Sequence, residues 1–136
     1  ERVFGDPDAL QRLEAILHPR IRELERQRAR AIGAQAPEAV VIYEAALLLE
    51  SGSEADMDRV GVVDVEPAVQ WQRALARGDR SPEQIRSMLE RQLGREERLA
   101  RADDIIDNNG PWAETRARVD ALYTDYRRRA RSGGGQ

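Results

Sequence analysis

The sequence contains no cysteine and no lysine. Without cysteine there is no disulfide framework, no thiolate nucleophile and no Cys-ligated zinc, and the same absence fits a reducing, cytoplasmic setting. Without lysine these residues can supply neither a Schiff base nor a Walker-type phosphate ligand. A single histidine, His18, rules out a multi-histidine metal site. Aromatic residues make up 4% of the chain, few for stacking the bases of single-stranded nucleic acid, and the net charge of −3 runs against a dedicated DNA or RNA binder. No apolar run approaches the ~20 residues of a membrane span, and no signal-peptide pattern opens the chain. Neither a nucleic-acid nor a membrane partner is expected. The first residue is Glu1 rather than methionine, so the sequence reads as beginning inside a longer chain.

What is present is arginine and helix-forming sequence. All 22 basic residues are arginines, set against 25 acids in 136 residues. That length fits one domain, expected over residues 1–131 with a flexible tail at 132–136, and it is enough to bury a core without a covalent or metal staple. Asp6-Pro7 is a helix-start signal, a side-chain acceptor followed by proline at the first helical position. Leu10, Leu13, Ile16 and Leu17 follow at helical spacing. Pro19 interrupts the pattern and is expected to end one helix and open the next, with Ile21, Leu24, Ala31 and Ile32 as its apolar stripe.

Three runs have the texture of strands: Ala39-Val40-Val41-Ile42-Tyr43, Val60-Gly61-Val62-Val63-Asp64-Val65 and Asp104-Ile105-Ile106-Asp107. Their β-branched, uninterrupted character predicts strands of a parallel sheet covered on both faces. Helices are predicted over 67–77, 82–92, 95–102 and from Trp112 to about Arg131, the last with Val119, Leu122, Tyr123 and Tyr126 on one face. Strands alternating with helices give an α/β class with a parallel sheet. Three strands are few for such a sheet.

Four patterns carry candidate chemistry. The strand Val40–Tyr43 runs into Glu44; an acid there lies where parallel sheets bind phosphates and magnesium, and equally where it would cap a turn. Arg73 and Arg77 sit one helical turn apart before Gly78, suited to bidentate phosphate binding beside a hinge, or to ordinary solvation. Ser81 and Gln84 around Pro82 form a capping box, which explains Ser81 without any function. Asp107-Asn108-Asn109-Gly110 follows the last strand, a turn signal whose amides could also read a nucleotide base. His18, next to Pro19, is ordinarily a structural residue. The arginines at 127–129 and 131 complement a helix C-terminus.

The order of these pieces resembles the dephospho-CoA kinase family. The resemblance runs through Val3-Phe4-Gly5-Asp6-Pro7, Leu13 to Pro19, Val41-Ile42-Tyr43-Glu44 with Leu47-Leu48-Leu49-Glu50, and Val62-Val63-Asp64. It continues through Gln70 to Arg77, Ser81 to Gln92, and Ala102 to Gly110, and so covers the chain to about Tyr126. It implies a P-loop NTPase-like kinase fold that uses ATP with Mg2+ to phosphorylate the ribose 3′-hydroxyl of dephospho-CoA, the final step of coenzyme A synthesis. Residues 6–35 would be substrate-binding helices and 73–92 a lid. Arg77 and then Arg73 would meet the ATP phosphates, and Asn108 and Gly110 the adenine. His18, Leu47, Leu48 and Glu50 would lie on the substrate side, and Glu44 near the metal.

Departures accompany the resemblance. The family's Gly-rich loop ending in Gly-Lys-Ser/Thr and its following aspartate base are absent, so no catalytic residue is assigned within these residues. In the family that loop's strand lies between the strands corresponding to 40–44 and 60–65, and without it the chain alone is expected to be inactive, and unstable or self-associating. Ala46 stands for the usual proline, Leu49 for phenylalanine, and Gly78-Asp79-Arg80 for an Asp-Gly-apolar turn. The other reading of the sequence is a non-catalytic remnant that binds CoA-like ligands or an acidic partner.

Overall fold

A computed structural model describes residues 6–133; Val3, Phe4 and Gly5 of the amino-terminal motif lie outside them. Helix α1, Pro7–Gln35, starts where its signal stands: Asp6 Oδ1 accepts from the Ala9 N–H at 3.0 Å, and Pro7 occupies the first helical position. The helix then runs unbroken through Pro19. The expected break, with His18 at a junction between two helices, does not occur. Two new helix ends would orphan several N–H and C=O groups, and the stretch Ala15-Ile16-Leu17-His18 offers no capping side chain to take them. Losing one intrahelical bond at proline costs less than making two uncapped ends.

Strand β1, Gly61–Asp64, pairs in parallel with β2, Asp104–Asp107, in the register Gly61↔Asp104 through Asp64↔Asp107. Their amino ends are stitched together. Arg59 donates Nε and Nη2 to the two Asp104 carboxylate oxygens at 2.7 and 2.9 Å, and Asp103 Oδ2 accepts from the Val60 N–H at 2.7 Å. Between and after the strands lie α2 (Pro67–Arg77), α3 (Pro82–Glu90), α4 (Arg95–Ala100) and α5 (Trp112–Gly133). Helix α5 runs two residues into the stretch expected as a tail; residues 134–136 lie outside those described.

The alternation of strand and helix is that of the expected α/β class, but the described sheet has two strands rather than three. Val40 to Tyr43 form no ladder with any described strand, and Ile42 is 76% exposed. A β-branched run becomes a strand only where a neighbouring strand pairs with it along its length, and neither described strand does so here. The strands that do form are not covered on both faces either: Val63 is 59% and Ile105 54% exposed. Among the described residues the core is small, with Leu49, Val60 and Ile85 buried beside the polar Ser53, Asp64 and Thr115. The sizeable core expected from chain length alone is not formed.

The chain divides into two compact units, residues 43–125 and, within those described, 6–42 with 126–133. Both strands and the six buried residues belong to the first unit. In the second, α1 exposes Leu13, Ile16, Leu17, Ile21, Leu24 and Ile32.

Candidate functional site

The paired strands end side by side at Asp64 and Asp107. Ligands of open parallel sheets bind outside the carboxyl ends of the strands. In this protein that end carries a dense set of hydrogen bonds and ion pairs.

Asp64 is buried, and Arg95, the first residue of α4, grips it with Nε at 2.9 Å and Nη2 at 2.8 Å. The same guanidinium reaches Glu66 at 2.8 Å. The Arg95 hydrogen bond holds the Asp64 carboxyl below its ordinary value although burial pushes the other way, and the two acids raise Arg95 in turn. Asp107 closes an Asx turn: its Oδ1 accepts from the Asn109 N–H at 2.9 Å and from Asn109 Nδ2 at 2.8 Å. Those bonds, with Arg118 at 3.0 Å from Oδ2, lower the Asp107 carboxyl. Asn109 Oδ1 accepts from the Glu66 N–H at 2.7 Å, tying the turn to the start of α2.

Asn108 sits at the centre. Its N–H donates to the Asp64 carbonyl at 2.8 Å, and its own carbonyl accepts from Arg73 Nη1 at 2.7 Å. Arg73 and Asn108, assigned together from sequence, are therefore in contact. Arg77 ends the same helix, exposed, and makes no ion pair among the described residues. The next residue, Gly78, takes the left-handed conformation at φ 68°, which a side chain would strain, and its N–H returns to the Leu75 carbonyl at 3.1 Å. The expected capping box then opens α3, with Ser81 and Gln84 bonded reciprocally. The Glu83 carboxyl is lowered by its own backbone N–H and by the Ser81 hydroxyl. Gly110 leaves room for Glu114, since a Cβ there would lie 2.9 Å from Glu114 Oε2.

The remaining predicted residues are elsewhere. Glu50 Oε1 accepts from the Leu93 N–H at 2.6 Å, so this carboxylate fastens its own turn to the segment ahead of α4. Leu47 and Leu48 are half-buried in that turn, and the Leu48 carbonyl accepts from Ser51 Oγ at 2.9 Å. Glu44 is exposed at the end of the run that lies outside the sheet. His18 is exposed on α1.

Sequence reasoning passed over Arg95, Thr115 and Arg118. Arg95 carried a signal, because a cation on the first residue of a helix opposes the macrodipole and implies a partner that outweighs it. Thr115 and Arg118 carried none, their partners being separated from them by a turn.

The model of the dephospho-CoA kinase family matches residues 1–114. The chain belongs to the dephospho-CoA kinase family. It is 43% identical over 122 residues to the dephospho-CoA kinase of Syntrophotalea carbinolica, covering 90% of this chain and 57% of that one. With the dephospho-CoA kinase of Aromatoleum aromaticum it shares 44% over 134 residues, 97% of this chain and 63% of the relative. A solved structure, the dephospho-CoA kinase from Campylobacter jejuni, superposes with a TM-score of 0.65 at 25% identity, over 93% of this chain and 62% of that one. The chain thus spans about three fifths of the length of the dephospho-CoA kinases it matches. Asp64, Arg73, Arg77, Asn108 and Gly110 fall inside the family match, whereas Thr115 and Arg118 lie just beyond it. No helix among the described residues is long and apolar enough to cross a membrane.

Proposed function

We propose that this chain is the lid and nucleotide-base side of an ATP-dependent, cytoplasmic kinase that phosphorylates the ribose 3′-hydroxyl of dephospho-CoA, completing coenzyme A. The observation that carries this reading is the bond from Arg73, on the helix leading into the lid, to the carbonyl of Asn108 at the strand ends. It joins a cation-bearing helix to the turn where a parallel sheet receives a nucleotide.

In this reading Arg77, at the end of α2 and next to the Gly78 hinge, reaches the transferring phosphates; Arg73 supports it. Asn108 and Gly110 face the adenine. Residues 6–35, including His18, and the Leu47, Leu48 and Glu50 turn bind dephospho-CoA, and 73–92 close over the nucleotide within one kinase domain. The substrate oxygen bonds to the γ-phosphorus as the bond to the β-phosphate oxygen breaks, and the hydroxyl proton passes to a base. Phosphoryl transfer asks the protein chiefly for positioning and charge stabilisation, which arginines supply, while closure keeps water out. With no lysine in the sequence, these residues supply no Walker-type phosphate ligand for the reaction.

Magnesium fits this arrangement only as an ion carried by the nucleotide. The described residues hold no cluster of three metal-binding side chains. Glu44, the acid that closes the Val40–Tyr43 run, would with ATP phosphates and water make the kind of ligand set magnesium takes, where the ion would neutralise phosphate charge. A purely electrostatic acidic-partner role is less well supported, because Arg59, Arg95, Arg101 and Arg118 are already paired with acids of this chain.

The test is ATP-dependent conversion of dephospho-CoA to CoA by the full-length gene product. Turnover is expected, and Arg77→Ala is expected to lower kcat by about 10²-fold or more. A full-length protein that consumes ATP with no dephospho-CoA phosphorylated, or does neither, overturns the reading.

A further inference from the structure

Asn108 and Asn109 are adjacent amides in one turn, and their bonding differs. Both ends of the Asn109 amide are spent inside the turn: Oδ1 on the Glu66 N–H at 2.7 Å and Nδ2 on Asp107 Oδ1 at 2.8 Å. Asn108 is held at three other points. Its N–H goes to Asp64, its carbonyl to Arg73, and its side-chain Oδ1 accepts from the Thr115 hydroxyl at 3.1 Å. Thr115 is only 4% exposed, among the most buried polar residues described. The other acceptor near its hydroxyl, the Asp107 carbonyl, is more distant at 3.5 Å. No described residue takes Asn108 Nδ2, and Asn108 is half-buried rather than sealed.

A side-chain amide can present either its oxygen or its nitrogen, and its neighbours decide which. A buried hydroxyl that donates to the oxygen leaves the NH2 as the remaining group, a donor. A donor aimed at ring position N1 suits adenine, where N1 accepts, and opposes guanine, where N1 carries hydrogen and the acceptor is O6 instead. An amide free to rotate would satisfy both bases.

We infer that Thr115 is a positioning residue that pins the Asn108 amide by its oxygen and thereby makes the strand-end turn select adenine over guanine nucleotides. This rests on the kinase reading for the nature of the ligand, while the pinning itself is a property of the fold. Thr115 touches Asn108 and not the nucleotide. It lies one residue beyond the stretch matched by the family model, and its role is read from this structure.

The experiment compares ATP with GTP as phosphoryl donor to dephospho-CoA, using the full-length gene product and its Thr115→Val, Thr115→Ser and Asn108→Asp variants. Thr115→Val keeps the shape and removes the donor. It is expected to reduce the ATP:GTP ratio of kcat/KM by about five- to tenfold, the worth of one hydrogen bond, through the KM for nucleotide with kcat little changed. Thr115→Ser, which restores the hydroxyl, is expected to keep the parent ratio. Asn108→Asp replaces the donor with an acceptor and is expected to move the preference toward GTP whether or not Thr115→Val folds. An unchanged ratio in Asn108→Asp, or in a folded Thr115→Val, overturns the inference. Calorimetric titration with ATP and GTP reads the same ratio as affinities. If the parent binds ATP but phosphorylates no dephospho-CoA, the kinase reading fails and the Thr115 inference is still decided by the binding ratio; if it binds neither nucleotide, both fail.

Discussion

Three segments of this chain share one pattern, an apolar run closing on a carboxylate: Val40–Glu44, Gly61–Asp64 and Asp104–Asp107. Two became a sheet and one did not. The two that paired have neighbours for their backbone groups, and their terminal acids are met by arginines, Asp64 by Arg95 and Asp107 by Arg118. The run outside the sheet leaves Ile42 76% and Val41 47% exposed, and its acid, Glu44, is exposed as well. The same local sequence therefore supports opposite outcomes. The difference lies in what stands beside it: an extended segment is stabilised across its edges, not along its length.

The largest effect expected from this contrast concerns the chain as a whole. Exposed Val41 and Ile42 lie on an apolar run outside the sheet, and exposed Val63 and Ile105 on strands whose outer edges pair with no described strand; surfaces of both kinds template association. The 136-residue chain by itself is expected to self-associate with rising concentration in size-exclusion chromatography with light scattering, and Ile42→Lys combined with Val63→Thr to reduce that association. A monodisperse monomer with a cooperative thermal transition would contradict this.

Removing the acid that ends a strand, or the acid that ends the run outside the sheet, should separate the regions next. In the full-length gene product, Asp64→Ala strands the Arg95 guanidinium and is expected to lower Tm by roughly 5–10 °C, whereas Glu44→Ala should move it by less than about 2 °C. Equal shifts would mean that the two ends are alike after all. The same pair sets a pH dependence. The Asp64 carboxyl lies lower in the folded protein than its ordinary 3.8, so its stabilising contribution is complete above that value and is lost as pH falls through the folded value. The Tm gap between the parent and Asp64→Asn is accordingly expected to be constant from pH 5 to 7 and to narrow below about pH 4. A gap that widens on acidification would reverse the assignment.

The smallest effect is at the lid hinge. Gly78→Ala places a Cβ in a left-handed conformation, at a cost of about 1 kcal/mol, and is expected to lower Tm by a few degrees. The ordinary gain from replacing a helix-flanking glycine would show instead as a higher Tm, and would mean that the turn does not require this conformation.

Much of the local structure was legible because it is encoded within a few residues. Asp6-Pro7, Pro67 and Ser81-Pro82 with Gln84 mark helix starts that the structure reproduces, and β2 occupies the four residues read for it. Asn108 and Arg73 were identified as candidates through the order of motifs along the chain, and they prove to be in contact. Other features had no local signature. Continuity through Pro19 depends on the absence of capping groups around a break. The grip of Arg95 on Asp64 joins residues 31 apart, and that of Arg73 on Asn108 residues 35 apart. No periodicity relates such pairs; they meet because two parallel strands bring their ends to one place.

Local capping, turn chemistry and β-branched texture were determined by the amino-acid sequence by itself, since each acts through bonds that close within about four residues. Which apolar run found a partner, which acid found an arginine and which of two neighbouring amides kept its nitrogen free were decided by the tertiary structure. Those outcomes depend on groups 7 to 43 residues away, beyond the reach of a cap or a tight turn, and folding alone brings them together.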